Sequence, residues 1–163
     1  MTLERVVTIG AYGFSADRFF AALQDAGVDT FLDIRQRRGV RGAEYAFANH
    51  GRLTASLDAM GIRYLHERDL APTTEIRTAQ YAVDAAAGVA KRKRESLSPA
   101  FIEAYRREIL KPFDLQAMLD GLPAETRVLA LFCVERTPEA CHRHLVADAI
   151  HELTGVPVQH LMP

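Results

Sequence analysis

RVLALFCVERTPEACHRHLVADAI, residues 127–150, decides the fold. It opens with an uninterrupted apolar run, Val128–Cys133, the pattern of a strand covered on both faces in a parallel sheet. A short polar turn, Glu135–Ala140, follows. From Cys141 onward, Leu145, Val146, Ala149, Ile150 and Leu153 recur on one helical face, so a helix is expected to begin at Cys141. In open α/β sheets, ligands sit where a strand passes through a loop into a helix N-terminus. This turn holds Cys133, Glu135, Cys141, His142 and Arg143.

The remainder of the chain repeats the alternation of strand and helix. Arg5–Ile9 reads as a buried strand, and Gly10-Ala11-Tyr12-Gly13 as a turn. Ser15 is a good N-cap for a helix over Ala16–Ala26, whose apolar side carries Phe19, Phe20 and Leu23 and which Gly27 ends. Thr30–Ile34 is the second strand, Leu53–Met60 the core of the next helix, and Ile62–His66 the third strand. Residues 70–125 read as a helical insertion: Thr74–Lys93, Ala100–Leu110 with a Phe101, Tyr105, Ile109 stripe, and Asp114–Leu119. Such a stripe packs into a core, while the insertion as a whole can cap a site as a lid. Pro157–Leu161 reads as a fifth strand at a sheet edge, because a proline opens it. The sum is a single α/β domain over residues 1–163: a three-layer, Rossmann-like fold with a mainly parallel sheet of about five strands and the insertion before strand four. The two glycines of the first turn either make it tight or cradle a phosphate. The pattern G-x-G-x-x-G is absent, so no dinucleotide fingerprint is present.

Composition excludes several classes. A chain of 163 residues with 48% apolar residues can bury a sizeable core. No apolar run approaches a membrane span, so no membrane partner is expected. The N-terminus MTLERVVTIG lacks the apolar region of a signal peptide, and a cytoplasmic protein is expected. Two cysteines do not make a secreted disulfide framework, and Cys133 and Cys141 are expected as free thiols. The net charge of −1 gives no global field for nucleic acid, although Lys91–Arg94, KRKR, is a local basic tetrad.

The chain resembles the DUF488 family. An apolar strand followed by Cys-x-Glu and then Cys-His-Arg is that family's C-terminal signature, matched by Cys133, Glu135, Cys141, His142 and Arg143. Thr8-Ile9-Gly10, Asp33-Ile34-Arg35 and Gly61-Ile62-Arg63-Tyr64 extend the resemblance over most of the chain outside residues 70–125. It implies an α/β fold and a site but no reaction. The chain departs from the family at the proline expected near Arg37 and Arg38, and at Leu70-Ala71-Pro72 where Leu-Gly-Gly is usual. The first departure makes the loop more basic.

The chemistry-bearing residues suggest an anion site. Free N–H groups and the dipole at a helix start favour an anion near Cys141, to which Arg143 adds a planar fork. The loop Arg35–Gly42 carries four arginines, of which Arg35 and Arg41 are expected to face the same place, with His66 at the neighbouring strand end. The competing readings are a solvated charge run, a rim histidine and an internal ion-pair network. Asp33 and Glu135 are the candidate acid–base pair, and Cys141 in a positive field is a candidate nucleophile. Cys133 and His142 complete the substrate-binding set. The spacing Cys-x7-Cys-His-x-His lacks the close ligand pairs of structural zinc sites, so neither metal nor cofactor is expected. The expectation is an enzyme acting on a phosphorylated small molecule, nucleotide or nucleic-acid end. The alternative is a non-catalytic module that binds a nucleotide or nucleic acid through the same arginines.

Overall fold

The computed structural model describes residues 2–163. Five strands, β1 (Arg5–Gly10), β2 (Thr30–Asp33), β3 (Arg63–His66), β4 (Val128–Cys133) and β5 (Val158–His160), form one sheet in the order β3-β2-β4-β1-β5. Every pairing is parallel. The α/β fold with a five-stranded sheet expected from the sequence is therefore present, and β5 lies at an edge.

β4 is central, and all six of its residues are buried. Side chains alternate across a strand, so Val128, Ala130 and Phe132 enter one apolar cluster and Leu129 and Leu131 the other. The first cluster packs α1 (Ala16–Asp25) and α2 (His50–Ala59) on one face through Phe19, Leu23, Leu53 and Leu57. The second holds Phe101 and Tyr105 of α4 (Pro99–Tyr105), Leu119 of α5 (Leu115–Asp120), and Leu145, Val146 and Ile150 of α6 (Arg143–Thr154). Ile76 of α3 (Thr74–Ala86) joins that layer. The insertion is thus one wall of the core, with Phe101, Tyr105 and Ile109 buried as the stripe requires.

Two expected helix boundaries shift. The helix expected over Thr74–Lys93 ends at Ala86, where Gly88 turns the chain at φ +69°; Lys91–Lys93 is a separate single turn. The last helix starts at Arg143 rather than Cys141, because Cys141 is extended at φ −135° and His142 is the N-cap. On that helix, Ala147 is buried in place of Leu153, which is exposed.

Chain direction places the site. β2 leads through α2 to β3 on one side, and β4 leads through α6 to β5 on the other. β2 and β4 are neighbours whose connections leave in opposite directions, which opens a crevice at their carboxyl ends.

Candidate functional site

A cavity of about 690 Å³ occupies that crevice. Its floor comes from β4 and the following turn, through Cys133, Val134, Glu135, Cys141 and His142. Tyr12 enters after β1, and Arg35, Arg37 and Arg41 after β2. The insertion closes the far wall with Arg77, Lys91, Arg92, Arg94 and Phe101. Six arginines and Lys91 line it against one carboxylate, that of Glu135.

Arg35 is held rigidly. Its Nε and Nη2 donate to Asp33 at 2.9 and 2.8 Å, and the guanidinium lies 4.6 Å from the centre of the Phe132 ring. Its third nitrogen, Nη1, is buried with no partner in the protein. Arg94 bridges three elements, donating to Asp84 of α3 at 2.8 Å, to Glu135 at 3.1 Å and to the Ala140 carbonyl at 3.0 Å. Arg92 lies over the rings of Tyr12 and Tyr45 at 5.1 and 5.3 Å, and donates to the Arg41 carbonyl at 2.8 Å. These contacts fasten the insertion across the mouth.

Below lies a sulfur–imidazole cluster. Nδ1 of His142 stands 3.7 Å from the Cys133 sulfur and 3.8 Å from the Cys141 sulfur. Nε2 of His142 donates to the Ile34 carbonyl at 3.0 Å, and the Cys133 thiol donates to Glu135 at 3.3 Å. Both cysteines are buried free thiols. Burial, then the hydrogen bond and charge of Cys141, push the Cys133 thiol well above its ordinary pKa. Burial also opposes ionisation of Cys141. The hydrogen bond from Cys133 and the charges of His142 and Arg143 outweigh it and hold that thiol well below its ordinary value. His142 is raised: burial, the largest single effect, disfavours its charge, but the charge and hydrogen bond of Cys141, the Ile34 carbonyl and the Glu135 charge together outweigh it. Burial and the Cys141 charge raise Glu135, against Lys91 and Arg94.

The chain belongs to the DUF488 family. The model of that family, described as a domain of unknown function, matches residues 15–150. No curated protein and no solved structure matches the chain. The matched span takes in Asp33-Ile34-Arg35 and Cys141-His142-Arg143. The geometry sorts those residues into two kinds.

Arg35, Arg41, Cys133, Glu135, Cys141 and His142 converge on the cavity. Asp33, Arg143 and His66 do not line it. Both Asp33 oxygens are occupied, by the Arg35 fork, the Arg35 backbone N–H at 3.1 Å and the Tyr64 hydroxyl at 2.6 Å. With four donors on it and no exposed surface, Asp33 holds Arg35 in place and stands away from the cavity. Arg143 is fully buried, donating from Nη1 to the Glu135 carbonyl at 2.6 Å and from Nη2 to the Arg136 carbonyl at 3.2 Å. It holds the backbone of the β4 exit loop and does not line the cavity, and its Nε is buried with no partner in the protein. His66 bonds the Arg35 carbonyl at 2.7 Å and borders a separate small cleft. It steadies the arginine loop from behind.

The sequence reading left out Tyr12 and Arg77 and weighed Lys91–Arg94 only as a solvated charge run or a nucleic-acid contact. The tetrad was visible, but its three cavity residues, Lys91, Arg92 and Arg94, gain meaning only from the fold around them. Arg77, which hydrogen-bonds the Gln36 side chain, carries no sequence signal. Among the described residues, no helix is long and apolar enough to cross a membrane.

Proposed function

We propose that this DUF488 chain binds a phosphate-bearing small molecule, nucleotide or nucleic-acid end in the cavity and acts on it as an enzyme. The observation that carries the reading is the cavity wall itself: six arginines and Lys91 against one carboxylate, with a buried Arg35 Nη1 that has no protein partner. A buried unpaired donor is costly, and a planar guanidinium fixed by its other two nitrogens suits an oxyanion. The volume of about 690 Å³ suits a ligand of nucleotide size. Glu135, at the floor, is the only carboxylate among the described residues that line the cavity and takes the acid–base role. Cys141 stands beside it as the nucleophile candidate.

One observation favours a non-catalytic nucleotide- or nucleic-acid-binding module. Glu135 is already engaged by Arg94 at 3.1 Å and lies 3.8 Å from Lys91, an arrangement that also serves a purely structural role. Two measurements decide. Thermal unfolding with phosphate, pyrophosphate and nucleoside triphosphates at constant ionic strength is expected to show saturable stabilisation, about 2.7 kcal/mol at a hundredfold excess over Kd. Arg37→Ala/Arg41→Ala, at two exposed positions, should lose most of it. Failure of every anion to stabilise the wild type overturns the reading. Phosphate release from nucleotides and phosphate esters then separates the classes. Glu135→Gln that still binds but no longer turns over supports the enzyme, and a wild type that binds without turnover supports the module.

A further inference from the structure

The sequence spacing argued against a metal, because Cys-x7-Cys-His-x-His is not the ligand spacing of structural zinc sites. That argument concerns ligands carried on one local knuckle. Here the ligand atoms come from the end of β4 and the turn before α6, which the loop between them folds side by side. The Sγ atoms of Cys133 and Cys141 and Nδ1 of His142 all lie within 4.8 Å of one another.

We propose that Cys133, Cys141 and His142 form a three-ligand site for a zinc-type divalent cation at the floor of the cavity. Four observations meet there. First, the Nδ1–Sγ separations of 3.7 and 3.8 Å are close to those of a tetrahedral ion. Zinc–sulfur and zinc–nitrogen bonds of about 2.3 and 2.0–2.1 Å place such atoms about 3.6 Å apart. Second, Nε2 of His142 is committed to the Ile34 carbonyl at 3.0 Å, the outer contact that turns a ligating imidazole toward its metal. Third, two sulfurs and an imidazole are a soft donor set that selects zinc over magnesium or calcium. Fourth, all three residues border the cavity, so a fourth position faces ligand space, beside Glu135. Three protein ligands with one open position is the pattern of a reactive rather than a structural zinc. With the ion bound, the Cys141 sulfur serves as a ligand and not as the nucleophile; the anion reading, whose test uses no metal, is tested apart from this site.

The experiment is a cobalt(II) titration of the intact protein, purified under reductant, with both thiols first confirmed free. The expected result is one equivalent bound, with thiolate-to-cobalt charge transfer of two-sulfur intensity and the strong visible bands of a four-coordinate ion. Zinc should displace it. Cys133→Ser, Cys141→Ser and His142→Ala are each expected to weaken binding at least tenfold, with circular dichroism as the check on folding. A wild type with free thiols and no charge transfer, or with the weak spectrum of six-coordinate cobalt, overturns the proposal even if no variant folds. A folded Cys141→Ser that binds as tightly as wild type overturns it as well.

Discussion

Gly10 sits where no side chain fits. A Cβ there would lie 1.9 Å from the Glu135 carbonyl oxygen and 2.9 Å from Nη1 of Arg143. The first-turn glycine therefore serves close backbone approach between the ends of β1 and β4, and the phosphate-cradle reading is not needed to explain it. Gly10→Ala is expected to destabilise the fold by about 3 kcal/mol or more, the upper end of overpacking, as a lower urea midpoint. Gly51→Ala, in α2 with open space around it, is the control and should be neutral or slightly stabilising. Arg143 belongs to the same junction. Arg143→Met should cost about 3 kcal/mol, because the two carbonyls that it serves lose charged donors, yet leave anion binding per folded molecule unchanged. Tyr64 gives a pH signature. Burial, then the hydrogen bond to Asp33 and that carboxylate's charge, push its phenol well above the ordinary value. The folded chain keeps a proton that the unfolded chain releases near pH 10. Stability is therefore full below about pH 10 and declines as pH rises beyond it. Urea midpoints against pH should show Tyr64→Phe flattening that decline, but only in part, because buried Tyr105 is raised too.

At the scale of elements, the insertion is joined to the sheet through Arg94. Its guanidinium reaches α3, the β4 exit loop and the turn before α6 together. Arg94→Ala strands Asp84 and Glu135 without their buried partner and is expected to cost about 3–5 kcal/mol. Arg92 is different: it is exposed and stacks over two tyrosines. Arg92→Ala should cost no more than about 1 kcal/mol in stability while loosening the cavity mouth and weakening anion stabilisation. The contrast shows what the sequence could convey. KRKR carried charge but not direction, and its four residues part ways. Arg94 turns into the core, Arg92 and Lys91 face the cavity, and Lys93 lies outside the lining. The helix expected through Lys93 concealed this, because Gly88 breaks it and lets the tetrad turn back.

For the whole molecule, the layers were legible because β4 declares itself. An apolar run with no polar interruption has no exposed face, so helices had to cover both sides. Strand order was not legible: nothing in Val128–Cys133 says that it inserts between β1 and β2. That insertion matters most, since it brings the loop after β2 against the loop after β4 and so creates the cavity. It also explains why Asp33 lies away from the cavity. Asp33 is closed off by Tyr64, which lies 31 positions away on the neighbouring strand, and sequence spacing does not report such a contact. Hydrogen exchange should follow the same order, with the amides of β4 and β1 slowest and those of the edge strands β5 and β3 fastest among the strands.

The central claim is that the arginine-lined cavity, rather than the helix start at Arg143, receives an oxyanion. Anomalous diffraction from crystals soaked in tungstate, an electron-dense stand-in for phosphate, tests it most directly. The account predicts a peak inside the cavity within hydrogen-bond reach of Arg35 Nη1, lost in crystals of Arg37→Ala/Arg41→Ala at the same concentration. A peak on Arg143, or a cavity that stays empty at saturating tungstate, would contradict it.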